Sequence, residues 1–266
     1  MVLALDSRFP LVWRSPDSLQ IGVDRPLAVI DPVSRPIERM LAALTRGISR
    51  SGLSLVASEG GGSELDAAAL LVQLGPAVVE VPGAPAAQSP PTAPPLGAVA
   101  LDGTGGTLRR LAALAPDLGI RTAHPSDVTA DLAVIVAHYA VAPARYGGWL
   151  RRDIPHLPIV FSDTEVRIGP FVEPGDGPCL YCVDRGKVDE DAAWPAMASQ
   201  LVTRTAPTET PVLALETAVR AGRLLERRLR HGENPLHSAI EAIDATSGRI
   251  SRAECRPHAS CACRSL

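Results

Sequence analysis

The sequence contains few aromatic residues and almost no lysine. Phenylalanine, tyrosine and tryptophan together make up 3% of the 266 residues, and Lys187 is the single lysine. Because 46% of the residues are nevertheless hydrophobic, the core must be built mainly from alanine, valine, leucine and isoleucine. The formal net charge is −3. This charge argues against nucleic acid as a partner, since non-specific binding to nucleic acid needs a basic surface.

Long apolar runs and a secretory leader are also lacking. Residues 1–6 show no basic segment followed by an extended apolar stretch, which is the pattern of a signal peptide. The most apolar run, residues 132–137, is far shorter than the roughly 20 residues that a helix needs to cross a bilayer. The five cysteines form an odd number, which disfavours a disulfide scaffold. We therefore expect a cytoplasmic protein that has no membrane partner.

Four of the cysteines occur as two close pairs. Two residues separate Cys179 from Cys182, and one residue separates Cys261 from Cys263 near the end of the sequence. Zinc in structural sites takes four ligands in a tetrahedron, and thiolate is a favoured ligand. The pairing therefore predicts that these four residues hold one zinc ion, which would tie the end of the chain to its middle. Unrelated thiols or a disulfide are the alternative interpretation.

Four other residues carry ligand or acid–base chemistry. Cys255 and His258 lie close to the second cysteine pair, and we expect both to be bystanders. Asp163 and Glu165 follow a predicted parallel strand, where α/β proteins place ligands, so they could assist acid–base chemistry. Such carboxylates more often form turns or remain solvated, and we favour that role for these two.

Residues 1–81 combine short strands with two predicted helices. The strands are expected at residues 11–13, 19–23, 27–30 and 78–81. The first helix is expected to begin near Ser34 and end at Gly47, and the second to begin at Ser63 and end at Gly75. The second helix is expected to bury an apolar stripe of Leu65, Ala69 and Val72.

This set of elements suits a small winged-helix-like α+β domain. Its first helix carries arginines but also Glu38, so the charges do not favour DNA recognition. An exposed strand edge could instead accept an extended peptide as an added strand. A packing role without any ligand is the alternative.

Residues 82–97 are predicted to link two domains. The segment contains six prolines and almost no charge, which is typical of a semi-rigid, extended spacer. The composition therefore predicts one domain at residues 1–81 and a second at residues 98–266.

Glycines connect the first predicted strand of the second domain to a helix. Gly103, Gly105 and Gly106 follow the apolar residues 98–101, and in this context backbone amides can cradle a phosphate. Leu108 stands where the third glycine of a dinucleotide fingerprint would lie, and no acid ends the next predicted strand to hold a ribose. The glycines therefore either contact a nucleotide or let strand and helix pack closely.

The remaining sequence predicts further α/β elements. Apolar runs predict buried parallel strands, and an alternating segment predicts an antiparallel partner. A helix is expected from Thr210 to Gly232, and a hairpin after it. These expectations cover strands at 132–137, 158–161 and 165–168, helical residues 184–204, a helical stripe of Val212, Leu215, Val219, Leu225 and Leu229, and a hairpin at 239–252.

Residues 98–266 resemble the ThiF/MoeB/HesA superfamily, which is related to ubiquitin-activating enzymes. The most specific part is Gly169-Pro170, Pro174-Gly175 and Pro178-Cys179-x-x-Cys182, and the glycine turn is a weaker part. The resemblance implies a Rossmann-like ThiF-type α/β domain that follows the winged-helix-like domain. It also implies a structural zinc held by the two cysteine pairs, with ATP as a cofactor for adenylation of a carrier protein or peptide.

The departures from that pattern point to a particular group within the superfamily. With the third glycine and the ribose acid lost, the chain looks most like the ThiF-like component of azole-forming (TOMM) peptide cyclodehydratases, which act in bacteriocin and other ribosomal-peptide biosynthesis. Residues 12–26 are similar to members of this group as well. In the group, the N-terminal module recognises the leader of a precursor peptide, and a partner of the YcaO family closes the rings with ATP.

Three functional hypotheses follow. The resemblance favours a leader-peptide-binding scaffold with a degenerate nucleotide site, which presents the precursor to a YcaO-family partner. The second hypothesis is an active adenylyltransferase with Gly103, Gly105 and Gly106 around the ATP phosphates. The third is a DNA-binding regulator that uses the winged-helix-like domain. The superfamily resemblance also leads us to expect a homodimer.

Overall fold

The protein is described by a computed structural model over residues 1–81, 95–127 and 129–263. Its chain divides into two compact units, Met1–Pro91 and Thr92–Leu266, and each unit has a hydrophobic core of its own. Most of the predicted linker lies outside the described residues, and a strand already begins at Gly97. No helix in the described part of the chain combines the length and the apolarity that a bilayer crossing requires.

The first unit contains two small antiparallel sheets and three helices. The sheets have the strand orders β5-β1-β6 and β2-β3-β4. The elements are β1 (Val2–Leu5), β2 (Leu11–Ser15), β3 (Ser18–Ile21), β4 (Ala28–Ile30), α1 (Arg35–Arg46), β5 (Ile48–Ser49), α2 (Arg50–Glu59), α3 (Glu64–Leu74) and β6 (Val78–Val81).

Helices α1 and α3 have the predicted ends. Gly47 follows α1, and at α3 the side chains and backbones of Ser63 and Asp66 form a reciprocal capping box. The stripe predicted for α3 is wrong, because Leu65 and Val72 are exposed. The buried residues of α3 are Ala67, Leu70 and Leu74. Helix α3 is apolar on most sides, so periodicity does not select its buried face.

Helix α2 and strand β1 have no counterpart in the sequence prediction. The Ser49 hydroxyl caps α2 by accepting a hydrogen bond from the Gly52 amide at 3.0 Å. Leu53 and Ala57, four residues apart, form its buried face. The sequence contains this apolar spacing of four residues, but the stretch is short and is interrupted by serines and glycines, which are typical of turns.

The second unit is built on one mixed sheet of seven strands. Its order is β13-β12-β11-β10-β9-β7-β8. Strands β10, β9, β7 and β8 run parallel to one another, and β11, β12 and β13 pair antiparallel with their neighbours. The strands are β7 (Gly97–Asp102), β8 (Ile120–Ala123), β9 (Leu132–His138), β10 (His156–Phe161), β11 (Glu165–Ile168), β12 (Ala239–Asp244) and β13 (Ile250–Glu254). The predicted α/β class, the parallel strands and the final hairpin are confirmed.

Five helices accompany this sheet, and side chains on its two faces belong to different core clusters. They are α4 (Gly106–Leu114), α5 (Pro143–Leu150), α6 (Leu180–Glu190), α7 (Trp194–Leu201) and α8 (Pro211–His231). Strand β9 shows the division, because successive side chains of a strand point to opposite faces. Leu132, Val134 and Val136 join the cluster with α4 and α8. Ala133 and Ile135 join the cluster that contains α5 and the cysteines.

Helix α8 has the predicted ends, and its predicted stripe is partly correct, because Leu225 is buried and Leu229 packs against the core while the other three predicted residues are exposed. Val212 is 76% exposed and Leu215 is 54% exposed, and Val219 is exposed as well. The buried face is formed by Leu213, Ala214, Thr217, Ala218, Ala221, Gly222, Leu224 and Leu225. Small residues let α8 approach α4 closely: a Cβ on Gly222 would lie 2.9 Å from a methyl carbon of Leu114. The sequence pattern gave weight to large side chains and identified only Leu225 of this face.

Candidate functional site

The four predicted zinc ligands meet at one point in the second unit. The Sγ atom of Cys179 lies 3.8 Å from that of Cys182 and 3.6 Å from that of Cys261. The sulfurs of Cys182 and Cys263 are 3.6 Å apart. All four sulfurs lie within 4.8 Å of one another. The end of the described chain is therefore brought back to its middle, as the sequence predicted.

Two segments with different local structure supply the thiols. Cys179 is the residue before α6, and Cys182 lies in the first turn of that helix. Cys261 and Cys263 follow β13 in an irregular segment. Gly177 links the segments, because its carbonyl oxygen lies 3.7 Å from the sulfur of Cys263. Its φ of 78° is a conformation that glycine adopts readily.

The sulfur positions fit a tetrahedral metal ion. With a zinc–sulfur bond of about 2.3 Å, neighbouring sulfurs of a tetrahedron lie about 3.8 Å apart. A disulfide would need about 2.05 Å, and all four cysteines are free thiols. Burial raises the pKa of Cys263 to about 11 and raises that of Cys179 as well, whereas the pKa of Cys182 is lowered, because hydrogen bonds outweigh its burial. A divalent cation would stabilise the thiolate forms of all four. This group can hold a metal ion such as zinc.

Cys255 and His258 do not belong to the group of four. The Nε2 atom of His258 lies 2.8 Å from a carboxylate oxygen of Asp189, and its Nδ1 accepts a hydrogen bond from the Ser260 amide. Both ring nitrogens therefore already have partners in the protein. Cys255 is buried and is not one of the four clustered residues, and burial raises the pKa of its thiol to about 11.

The three predicted nucleotide-binding glycines lie between β7 and α4. Gly103 and Gly105 belong to the connecting turn, and Gly106 begins α4. A Cβ on Gly103, whose φ is 129°, would lie 2.5 Å from the carbonyl oxygen of Val136 on the neighbouring strand. The turn therefore needs glycine at that position for its close approach to the sheet.

The chain's own Glu209 carboxylate occupies the N-terminus of α4. Its Oε1 accepts a hydrogen bond of 2.8 Å from the Thr107 amide. Its Oε2 lies 2.5 Å from the position that a Cβ on Gly105 would take, and only 9% of the side chain is exposed. Free amides and the helix dipole make such an N-terminus attractive to anions. The Glu209 carboxylate thus lies where a phosphate would bind, and a phosphate would compete with it for the Thr107 amide.

The segment that carries Glu209 is fastened across the ends of two parallel strands. The Ala206 amide donates to Nδ1 of His138 at 3.2 Å, and the Thr208 hydroxyl donates to the Ser162 carbonyl at 2.5 Å. Because Nδ1 accepts a hydrogen bond, a neutral His138 ring carries its proton on Nε2. That nitrogen lies 3.6 Å from Oε2 of Glu209. These contacts hold the carboxylate over the glycine turn.

A second network lies beneath the turn, at the end of β7. Arg145 donates hydrogen bonds of 2.8 Å to the Asp102 carboxylate and 2.9 Å to its carbonyl oxygen. The indole of Trp149 donates to the other carboxylate oxygen at 2.9 Å. Asp102 is therefore used to join β7 to α5. No sequence pattern indicates Glu209, Arg145 or Trp149, because each lies far along the chain from the residue that it contacts.

The two carboxylates after β10 both have neighbours in the protein. Glu165 pairs with Arg167 at 2.6 Å. A hydrogen bond with Asp163 raises the pKa of Tyr139. Each carboxylate thus interacts with a different side chain, which agrees with the structural roles favoured from the sequence.

Solved structures with the same fold are known. The heterocyclase TruD matches with a TM-score of 0.65 at 18% identity, covering 98% of this chain and 42% of its own. A heterocyclase in complex with substrate and cofactor matches with a TM-score of 0.65 at 14% identity, covering 98% and 39%. E. coli MccB with AMPCPP and MccA matches with a TM-score of 0.64 at 11% identity, covering 99% of each chain.

These matches establish a shared fold. The chain spans about two fifths of the length of the two heterocyclases and nearly the full length of MccB. No protein-family model matches the chain, and no curated protein sequence matches it. The predicted likeness to azole-forming heterocyclase components is thus supported at the level of fold.

Proposed function

We propose that this chain is a leader-peptide-binding scaffold of a thiazole- or oxazole-forming cyclodehydratase system. It binds a ribosomally made precursor peptide with residues 1–81, a winged-helix-like domain, and presents it to an ATP-dependent partner of the YcaO family. Residues 82–97 act as the spacer, and residues 98–266 form a ThiF-like domain with a degenerate nucleotide site. The shared fold with TruD and with MccB solved with MccA supports the proposal.

The main structural support for the scaffold proposal is a groove in the first unit. The groove has a volume of about 320 Å³ and lies between β2, β3 and α1. Trp13 is 49% exposed there. Apolar residues form much of the groove, and Glu38 and Arg46 add a charge of each sign. Its lining is Leu11, Trp13, Leu19, Glu38, Leu41, Ala42, Thr45 and Arg46.

The groove lies beside a strand edge that can accept a peptide. Strand β2 is an outer strand of the β2-β3-β4 sheet and has β3 as its only strand neighbour within the described residues. At the opposite edge, the Gln73 side chain already donates to the Val29 carbonyl of β4. An extended peptide could add its backbone to β2 and place alternate side chains against α1.

The glycine turn supports a scaffold without nucleotide chemistry. A triphosphate would have to displace the Glu209 carboxylate from the Thr107 amide, and the single lysine, Lys187, lies on α6 rather than in the turn. The proposed zinc ion at Cys179, Cys182, Cys261 and Cys263 has a structural role. In a four-thiolate site no coordination position remains for a substrate.

An active adenylyltransferase is the second candidate function, because the strand, glycine turn and helix are arranged as such a site requires. Isothermal titration with ATP and Mg²⁺ separates the two candidates. The scaffold proposal expects no binding heat, and micromolar affinity would favour the adenylyltransferase. DNA binding has no such support, since the net charge is −3. A homodimer remains a prediction.

Fluorescence anisotropy tests the scaffold proposal directly. The probe is the labelled leader segment of a candidate precursor, which is to be sought as a short Cys/Ser/Thr-rich peptide among the genes that neighbour this one. We expect saturable binding to the full chain, and a loss of affinity of about tenfold or more in Ala42→Trp. Ala42 is an exposed residue of α1 that lines the groove, so a large side chain there fills the groove without disturbing the core.

Ala69→Trp is the matched control. Ala69 is an exposed alanine on α3 and does not line the groove, so the same substitution should leave the affinity unchanged. Equal affinity of the two variants for the leader would contradict binding in this groove. Absence of leader binding by the unaltered chain would contradict the function itself.

A further inference from the structure

A second cavity lies in the Thr92–Leu266 unit, beyond the end of β9. It is open to solvent on one side, has a volume of about 350 Å³ and is lined by α5, α6, α7 and the segment after β9. This volume is within the usual size range of small-ligand sites. Its walls are mostly apolar and aromatic. They include Val141, Tyr146, Tyr181, Val188, Trp194 and Ala198. None of the four clustered cysteines lines it.

One lining residue, Arg185, brings a positive charge that no carboxylate of the described residues pairs with. The Nε atom of Arg185 is buried and makes no hydrogen bond with any residue that the structure describes. A buried donor left without an acceptor costs free energy that a suitable ligand would recover. Arginine is also well matched to a carboxylate, because its planar fork can donate two hydrogen bonds at once.

The nearby carboxylate does not satisfy Arg185. The Asp184 side chain accepts a hydrogen bond from the Tyr146 hydroxyl at 3.4 Å and interacts with Trp194 and Lys187. The Lys187 ammonium lies 4.3 Å from the centre of the Trp194 ring. Asp184 is thus engaged by these three side chains, and Arg185 is the charged group in the cavity wall that remains available.

We propose that this cavity is a binding site for a small organic carboxylate. The aryl or alkyl body of the ligand lies between α5, α6 and α7, and its carboxylate accepts hydrogen bonds from the Arg185 guanidinium. The site is separate from the glycine turn, from the cysteines and from the groove of the first unit. The proposal does not depend on the function proposed above.

Isothermal titration of the full chain with two probes of equal shape tests the site. The probes are 2-naphthoate and its neutral analogue 2-naphthamide. We expect naphthoate to bind about tenfold or more tightly than naphthamide, because a charge-assisted hydrogen bond to arginine is added. The Arg185→Gln variant should bind naphthoate only as tightly as it binds naphthamide. Its affinity for naphthamide should equal that of the unaltered chain.

Two further variants locate the binding. Ala198→Phe places a ring in the cavity and should abolish binding of both probes, while Arg109→Gln should change neither affinity. Arg109 is an exposed arginine on α4 that does not line the cavity. The thermal unfolding midpoint of each variant shows that it is folded. If Arg185→Gln is unfolded, Arg185→Lys, which keeps the charge but loses the bidentate fork, should bind naphthoate at an intermediate affinity.

Several results would overturn the proposal. They are equal affinity for the two probes, naphthoate binding that survives Ala198→Phe, or no binding of naphthoate by the unaltered chain.

A peptide with a C-terminal phenylalanine distinguishes the source of the carboxylate. If it displaces naphthoate from the unaltered chain but not when its terminus is amidated, the site accepts peptide carboxylates. If neither form displaces naphthoate, the site is specific for free small acids.

Discussion

Cys179 shows how much a single side chain contributes to this structure. Its sulfur lies 3.6 Å from that of Cys261, a residue 82 positions further along the chain. The four thiols are the main cross-link that we propose between the end of the chain and α6. A structural zinc site can contribute on the order of 10 kcal/mol to folding, so loss of one ligand should affect the whole second unit.

We predict that the purified chain contains about one zinc ion and that Cys179→Ser loses it. The second unit should then unfold at a much lower temperature, because three remaining thiols hold the ion poorly. Elemental analysis by mass spectrometry and differential scanning calorimetry measure the two effects. Cys255→Ser is the control, since Cys255 is buried but lies outside the group of four. An unchanged zinc content and melting temperature in Cys179→Ser would refute the assignment.

The residues of the two sites differ in how well the sequence could reveal them. Cys179 and Cys182 form a local pattern with a known ligand geometry, and a second pair completes the set of four. Glu209 has no such pattern. It contacts the Thr107 amide across 102 positions, and its role exists only because the segment after α7 crosses the ends of the strands. Contacts of this kind depend on the tertiary structure and leave no periodic trace.

At the scale of single elements, α4 depends on a cap that comes from another part of the chain. The Thr107 amide in its first turn is satisfied by Glu209, and a carboxylate near a helix N-terminus is also favoured by the helix dipole. The usual capping residues Ser, Thr, Asp and Asn are not used here, since Gly105 precedes the helix.

We predict that Glu209→Ala lowers the free energy of unfolding of the second unit by about 1–2 kcal/mol. The cause is loss of a charge-assisted hydrogen bond at a nearly buried helix end. Chemical denaturation monitored by circular dichroism measures it. Glu216→Ala should change the stability by less than about 0.5 kcal/mol, because Glu216 is exposed on α8. Equal effects of the two variants would show that Glu209 is not a cap.

Helix α8 provides a test of which face packs on the sheet. Leu213 is buried and Leu215 is 54% exposed, although the sequence pattern predicted that Leu215 belongs to the core. We predict that Leu213→Ala costs about 2–4 kcal/mol of unfolding free energy, as buried leucine truncations do. Leu215→Ala should cost less than about 1 kcal/mol. Denaturant titration compares them, and the reverse order would restore the predicted stripe.

Element ends were easier to predict than helix faces. Thr210 and Gly232 bound α8 as expected, because capping chemistry is local and needs only a few residues. The buried face of α8 includes small residues such as Ala218 and Gly222, and Gly222 packs closely on α4. A scale that weights residues by hydrophobicity gives such positions little weight, which is why the stripe predicted for α3 is wrong and the stripe predicted for α8 is correct only at Leu225 and Leu229.

At the scale of the whole molecule, we propose a separate task for each unit. The first unit offers a groove beside the outer edge of β2, and the second unit has Glu209 in its glycine turn. The matches to TruD and MccB cover 98% and 99% of the chain. The order of strands and helices predicted the α/β class of the second unit. The seven-strand order and the placement of the cavities required the structure, because they depend on pairings between distant segments.

Hydrogen–deuterium exchange on the full chain, with and without the leader peptide, shows where the peptide binds. A peptide that adds to β2 would pair with the backbone groups along its outer edge and cover α1, so amides of residues 11–15 and 35–46 should exchange more slowly when the peptide is bound. We predict protection in these two segments and none around the glycine turn. Protection confined to residues 103–107, with β2 unchanged, would contradict the scaffold account and place the peptide at the nucleotide site.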